Sequence, residues 1–170
     1  YNVALFQLPL QAKLSVSIDW GGVRDKTCAV LHTYDYLSDI DLFWDERVFE
    51  PNTASHKIIK ECLEMEKGLK IHARYVDAPP RFIVNDLQQE PYNYFATLVE
   101  KQDWRASLNN LNVRFGQRKA FIHPRCKFLI QSAESGILNK NKNDLDRNDA
   151  LGHMDGIAAT AEIKQRFPDV

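Results

Sequence analysis

Two short runs of the chain each end on an aspartate. Leu14-Ser-Val-Ser-Ile-Asp19 breaks into Trp20-Gly21-Gly22, and Ile71-His-Ala-Arg-Tyr-Val-Asp77 breaks into Ala78-Pro79-Pro80. Alternating or β-branched apolar residues over six or seven positions read as strands. Glycine and proline stop them, because proline cannot donate to a central ladder and glycine frees the backbone to turn. Each acid therefore stands at a strand end. A turn-forming aspartate is the plain reading of either one. Two of them constrain the fold, because a site that used both would need the two strand ends side by side.

The residues between and around these runs say how that could happen. Thr27–Tyr34 and Asp41–Phe49 read as two further strands, with turn signals at Gly21-Gly22, Asp25-Lys26 and Ser38-Asp39. Three successive strands with short links predict an antiparallel meander. Pro51-Asn-Thr53 then opens a helix in which Ile58, Ile59, Cys62, Met65 and Leu69 recur at helical spacing, with Gly68 as its stop. After Asp77 come a short helix around Phe82–Leu87 and a helix over 103–115 with Leu108, Leu111 and Phe115 on one face. Lys119–His123 is a short strand stopped by Pro124, and a helical stretch starts at Cys126. Residues 139–149 are polar and turn-rich, and a closing helix runs from about Leu151 to Arg166. Residues 1–13 read as a lead-in and 14–170 as one domain. The order β-β-β-α-β-α-α-β-α-α is that of an α/β, ribonuclease-H-like mixed sheet: an antiparallel three-strand meander plus parallel strands, flanked by helices. In that topology the strands ending on Asp19 and Asp77 are parallel neighbours, with both acids at one edge.

Composition narrows the function classes. A chain of 170 residues suits one domain. Its net charge of -1 carries no whole-protein basic signal, so nucleic-acid binding would need a local patch. Cys28, Cys62 and Cys126 are odd in number and lack CxxC spacing, which argues against a disulfide scaffold or structural zinc and for reduced thiols. No apolar run reaches the roughly 20 residues of a membrane helix. The opening residues do not read as a signal peptide, and without an initiator methionine the sequence reads as a piece of something longer.

Paired carboxylates at a sheet edge suit two-metal phosphodiester hydrolysis. Two hard cations about 4 Å apart need three or four carboxylates held on rigid elements; one cation acidifies the attacking water and the other stabilises the departing oxygen. Asp155, in Gly152-His-Met-Asp155-Gly156 on the closing helix, is the candidate third acid. The small residues Gly152, Gly156, Ala158 and Ala159 would let a backbone or a phosphate approach it. Plainer roles stand beside these: Asp155 as a dipole-favoured acid, His153 as a structural histidine, Asp149 as a helix N-cap. Arg114, Arg118, Lys119, Arg125 and Lys127 flank the short strand at 119–123. They form either a sequence-nonspecific phosphate-binding patch or a solvated face.

The stretches Ile18-Asp19-Trp-Gly-Gly, Tyr75-Val-Asp77-Ala-Pro-Pro-Arg-Phe-Ile-Val-Asn-Asp-Leu87, Ala120-Phe-Ile-His-Pro-Arg-Cys-Lys127 and Arg147-Asn-Asp-Ala-Leu-Gly-His-Met-Asp155-Gly-Ile-Ala-Ala resemble, in order and spacing, the nuclease domain of the viral DNA-packaging terminase large subunit of tailed phages. The resemblance covers nearly the whole chain. It implies a ribonuclease-H-like fold, two Mg²⁺ or Mn²⁺ ions, and endonucleolytic cutting of concatemeric viral double-stranded DNA. Asp19 would bridge the ions, and Asp77 and Asp155 would each complete one site. It also implies an N-terminal ATPase domain ahead of residue 1, a portal protein and a small terminase subunit as partners, and a place in the host cytoplasm at the procapsid portal. No membrane is involved. This chain contains no GxxxxGK[ST] and is not itself a P-loop ATPase. One departure concerns a fourth acid: Ala158 stands three residues after Asp155, so Asp149, another loop aspartate or His153 would have to serve. Two other readings share the residues, a junction-resolvase or transposase-type nuclease and a non-catalytic docking domain of the packaging machine.

Overall fold

A computed structural model of the chain describes residues 3–78, 86–99 and 104–135. Six strands form one mixed sheet: β1 (Leu14–Asp19), β2 (Thr27–Asp35), β3 (Ile40–Phe49), β4 (Ile71–Asp77), β5 (Thr97–Leu98) and β6 (Ala120–Ile122). The longer helices among the described residues are α1 (Ser55–Glu66), α2 (Trp104–Gly116) and α3 (Lys127–Ser135). The sheet order is β5-β4-β1-β2-β3-β6. β1, β2 and β3 make the antiparallel meander, while β4 pairs parallel with β1, β5 with β4 and β6 with β3. The ribonuclease-H-like order expected from the sequence is therefore the observed one.

Strand alternation assigns the two faces. Leu14, Val16 and Ile18 point to the face that α1 covers with Ile58, Ile59, Cys62 and Met65. Burying each of these large aliphatic side chains contributes about 1.5–3 kcal/mol over leaving it exposed. Ser15, Ser17 and Asp19, at the intervening positions, belong to the opposite face. There Cys28, Val30 and Phe43 pack with Leu108 and Leu111 of α2 and Leu129 of α3. Gly68, at φ 76, ends the α1 excursion in the left-handed conformation that glycine adopts freely. The chain then returns as β4 beside β1, which makes the parallel crossover.

An ionic clamp fixes the segment that follows. Arg74 of β4 donates from Nε to both carboxylate oxygens of Glu66, at 3.1 and 3.0 Å. The Tyr94 hydroxyl donates to Glu66 Oε1 at 2.8 Å, and the Arg74 guanidinium lies 4.8 Å from the Tyr94 ring centre. Burial pushes the Tyr94 hydroxyl well above its ordinary pKa, and the hydrogen bonds to Glu66 push Arg74 up. Both shifts keep the clamp in its donor form. Residues 86–99 are thereby held against α1 and β4, and Thr97-Leu98 add a parallel edge strand that periodicity does not reveal. Residues 3–13, read as a lead-in, run past the β6 edge, where the Ala4 N–H donates to the Ile122 carbonyl at 3.1 Å. The helix expected around 82–87 falls largely outside the described residues, and the closing helix falls wholly outside them.

Candidate active site

Asp19 and Asp77 are Cα partners in the parallel β1–β4 ladder, the last paired residues of both strands. Two positions back Ser17 pairs with Tyr75, and one back the buried Ile18 pairs with the buried Val76. The apolar pair faces α1, so the two aspartates share the other face. Both are half-buried. The ladder continues one step beyond them, because the Trp20 N–H donates to the Asp77 carbonyl at 2.9 Å. Trp20 itself is buried in the α1-side core. The two strand ends are thus locked together immediately behind the carboxylates.

The turn after Asp19 is built on close backbone contact. A Cβ on Gly21 would meet the Lys26 carbonyl oxygen at 2.2 Å and the Asp25 carbonyl oxygen at 2.3 Å. The Gly21 N–H donates to Thr27 Oγ1 at 3.2 Å, and the Asp25 N–H returns to the Gly21 carbonyl at 3.3 Å. Gly22 sits at φ 68, and its carbonyl accepts from the Asn52 N–H at 2.8 Å. The sequence marks this glycine pair as a turn signal. The packing requirement on Gly21 becomes visible only when Asp25 and Lys26 fold back over it.

Oxygen-only donors on rigid strands suit hard divalent cations such as Mg²⁺ or Mn²⁺. Neighbouring strands lie about 4.8 Å apart, so Asp19 and Asp77 are close enough to share a ligand, and the donor set fits. Among the described residues no group of three or more His, Cys, Asp or Glu gathers at one point. The expected third acid, Asp155, lies outside the described residues, as do His153 and Asp149.

The expected basic patch divides. Arg114 is only 4% exposed. Its Nε pairs with Asp41, and its terminal nitrogen donates to the Asp39 carboxylate and carbonyl, each at 3.1 Å. Lys119 also pairs with Asp39. Both cations neutralise acids of the β2–β3 hairpin, which lies at the end of the sheet opposite Asp19, because Asp19 pairs with Cys28 and Leu14 with Thr33. That placement corrects the reading of Arg114 as a solvent-facing phosphate contact. Arg118 is exposed beside them at φ 58. Arg125 is exposed and stacks 4.4 Å from the Trp44 ring centre while its Nε donates to His123 Nδ1 at 3.1 Å; Lys127 is exposed at the start of α3.

The same hairpin network contains residue types known from nucleophilic catalysis. Ser15 Oγ lies 3.5 Å from His32 Nδ1, and His32 Nε2 lies 3.0 Å from Asp41 Oδ1. Exposures of 2, 1 and 0% seal all three from any substrate, and Asp41 is held by Arg114 as well. The cluster is therefore internal scaffolding. A histidine in the middle of an apolar strand was its one signal in the sequence. Glu46 plays a comparable structural part: its carboxylate accepts the Phe128 and Leu129 N–H groups at 2.7 and 2.9 Å and caps α3.

No protein-family model and no curated protein sequence matches the chain. Solved structures do. The large terminase of a thermophilic bacteriophage matches with a TM-score of 0.71 at 11% identity, over 92% of this chain and 40% of that one. The P22 large terminase nuclease domain matches with a TM-score of 0.70 at 10% identity, over 95% of this chain and 86% of that one. The fold is that of the large terminase nuclease domain. The bacteriophage SPP1 large terminase nuclease domain, solved with bound Mn, shares this fold at a TM-score of 0.63 and 17% identity, over 91% of this chain and 86% of that one. The chain thus covers most of the isolated terminase nuclease domains and about 40% of the length of the thermophilic phage's large terminase. At these identities it is the terminase nuclease fold that is shared. No helix among the described residues is long and apolar enough to cross a membrane.

Proposed function

We propose that this chain is a divalent-metal-dependent endonuclease that cuts concatemeric viral double-stranded DNA during genome packaging. The observation that carries the reading is the register of Asp19 with Asp77: two carboxylates from different strands, on one face, at one edge of a terminase-type sheet. Asp19, Asp77 and Asp155 would hold two Mg²⁺ or Mn²⁺ ions, with Asp149 or His153 as a further ligand. When bound, such ions acidify water and stabilise the departing 3′-oxygen of a phosphodiester.

The chain's own part is positioning. β1 and β4 fix the directions of Asp19 and Asp77, and the Trp20–Asp77 hydrogen bond keeps the strand ends from splaying. The Gly21–Lys26 turn leaves that edge without side-chain bulk at its first position. Exposed cations contact the sugar-phosphate backbone without reading sequence. The partners that accompany this reading are duplex DNA, an N-terminal ATPase domain of the full-length chain, a portal protein and a small terminase subunit, at the procapsid in the host cytoplasm.

The test is cleavage of supercoiled plasmid under a Mg²⁺ and Mn²⁺ titration, with Asp19→Ala, Asp77→Ala and Asp155→Ala alongside. Metal-dependent nicking and linearisation that all three variants lose is the expected result. Wild-type-level cutting by Asp19→Ala would sink the assignment.

A further inference from the structure

We infer that Thr27 is a positioning residue for Asp19: its hydroxyl holds the backbone just beyond the acid and so sets the direction in which the carboxylate meets a metal ion. The inference rests on the nuclease reading and deepens it. The β1–β2 ladder ends at the pair Asp19–Cys28. Beyond that pair, two successive N–H groups go to opposite neighbours. The Trp20 N–H donates to the Asp77 carbonyl of β4 at 2.9 Å. The Gly21 N–H donates toward β2, where its acceptor is Thr27 Oγ1 at 3.2 Å, a side chain standing in for a strand carbonyl. The end of β1 is thus held from both sides within two residues of the acid.

Thr27 does not itself reach the ion. It opens β2 opposite Phe49, which belongs to the α1-side core, whereas Asp19 pairs with Cys28 on the other face. At 3% exposure it is also closed to substrate. Its influence on a bound ion therefore passes through the Gly21 peptide. The rest of the turn has ties of its own: the Asp25 N–H donates to the Gly21 carbonyl, the Asn52 N–H to the Gly22 carbonyl, and Lys26 pairs with Glu50 at 3.2 Å. None of these contacts engages the Gly21 N–H. Losing the Thr27 hydroxyl should therefore leave the turn folded and release the strand end that carries Asp19. A carboxylate ligand serves a hard cation only when its direction is fixed, and groups that orient ligands from outside contribute about 10–100-fold in metal affinity.

The experiment is calorimetric titration of Mn²⁺ into the wild type, Thr27→Val and Thr27→Ser, at a temperature where each is folded, with Tm in EDTA measured for all three. Valine keeps the branched shape and lacks the acceptor. Serine keeps the acceptor and lacks the methyl group. Thr27→Val should raise the Mn²⁺ Kd about tenfold. Thr27→Ser should bind Mn²⁺ as the wild type does while melting lower, since it gives up a buried methyl group. A purely structural Thr27 would lower Tm and leave Kd unchanged. Wild-type Kd in Thr27→Val, or an equal weakening in Thr27→Ser, overturns the inference. Should Thr27→Val not fold, Thr27→Ala takes its place in the same comparison with Thr27→Ser. Plasmid cleavage is read separately. Metal-dependent cutting that Asp19→Ala abolishes, with wild-type Kd in Thr27→Val, removes the positioning role and keeps the nuclease. A raised Kd in Thr27→Val without any metal-dependent cutting by the wild type does the reverse. A wild type that neither binds Mn²⁺ nor cuts overturns both.

Discussion

Gly21 and Lys26 approach so closely that a methyl group on Gly21 would sit 2.2 Å from the Lys26 carbonyl oxygen. Both obstructing atoms are backbone, so no side chain can swing aside. Gly21→Ala should therefore lose about 1–3 kcal/mol of stability, in the range of overpacked sites, and should lower cleavage more than the lost folded fraction explains, because the turn leaves directly from Asp19. Gly22→Ala meets open space but keeps a positive φ, so only about 1–2 kcal/mol of left-handed strain is expected. Denaturant midpoints of the two variants, compared with their plasmid-cutting rates, check the ranking.

Asp19 and Asp77 hold like charges on adjacent strands. Neutralising one should abolish metal-dependent cutting without unfolding the chain, and metal-free Tm should stay level or rise in Asp19→Asn and Asp77→Asn. Saturating Mn²⁺ should raise the wild-type Tm, by the equivalent of about 2.7 kcal/mol at a hundred times Kd, and should do little for either variant. Calorimetry with and without chelator measures this. A variant that melts far below wild type in EDTA would assign the residue a structural duty instead.

Arg114 and Asp41 make a buried pair that His32 extends. Removing one partner strands the other, at about 3–5 kcal/mol for a buried pair. Arg114→Ala should therefore be strongly destabilising and should leave the salt slope of DNA binding untouched. A folded Arg114→Ala with weakened duplex affinity would restore this arginine to the DNA surface.

The Lys119 ammonium, with the Tyr34 hydroxyl and the Arg114 guanidinium, holds the Asp39 carboxyl well below the usual carboxylate range. A folded-state pKa depressed below the unfolded value of about 4 favours the fold above that value. The contribution is whole at neutral pH and is lost as pH falls below about 4 toward the folded pKa. Asp39→Asn should thus flatten the acid limb of stability against pH and lower stability at neutral pH. Urea midpoints between pH 7 and pH 2 provide the measurement.

Much of the sheet was legible because its signals are local. The alternation in Leu14–Asp19 and the proline stop after Asp77 bounded two strands, and the meander order made them parallel neighbours. β5 was not legible, since two residues carry no period and Thr97-Leu98 are a strand only through their pairing with Tyr75 and Val76. The basic patch divided for a related reason. Arg114 and Lys119 look free along the chain, yet their partners Asp39 and Asp41 lie 73 to 80 residues away. Charge neutralisation across such a separation leaves no trace in local spacing.

The parallel pairing of β1 with β4 also sets when Asp19 and Asp77 can meet. The β1–β2–β3 meander forms from near neighbours along the chain, whereas β4 reaches β1 only after α1 has folded across the sheet, and such non-local pairings form slowly. On that ordering Asp19 would stand on the β1–β2 hairpin before Asp77 arrives beside it. The proposed metal site would therefore come into being only with the completed β1–β4 pairing.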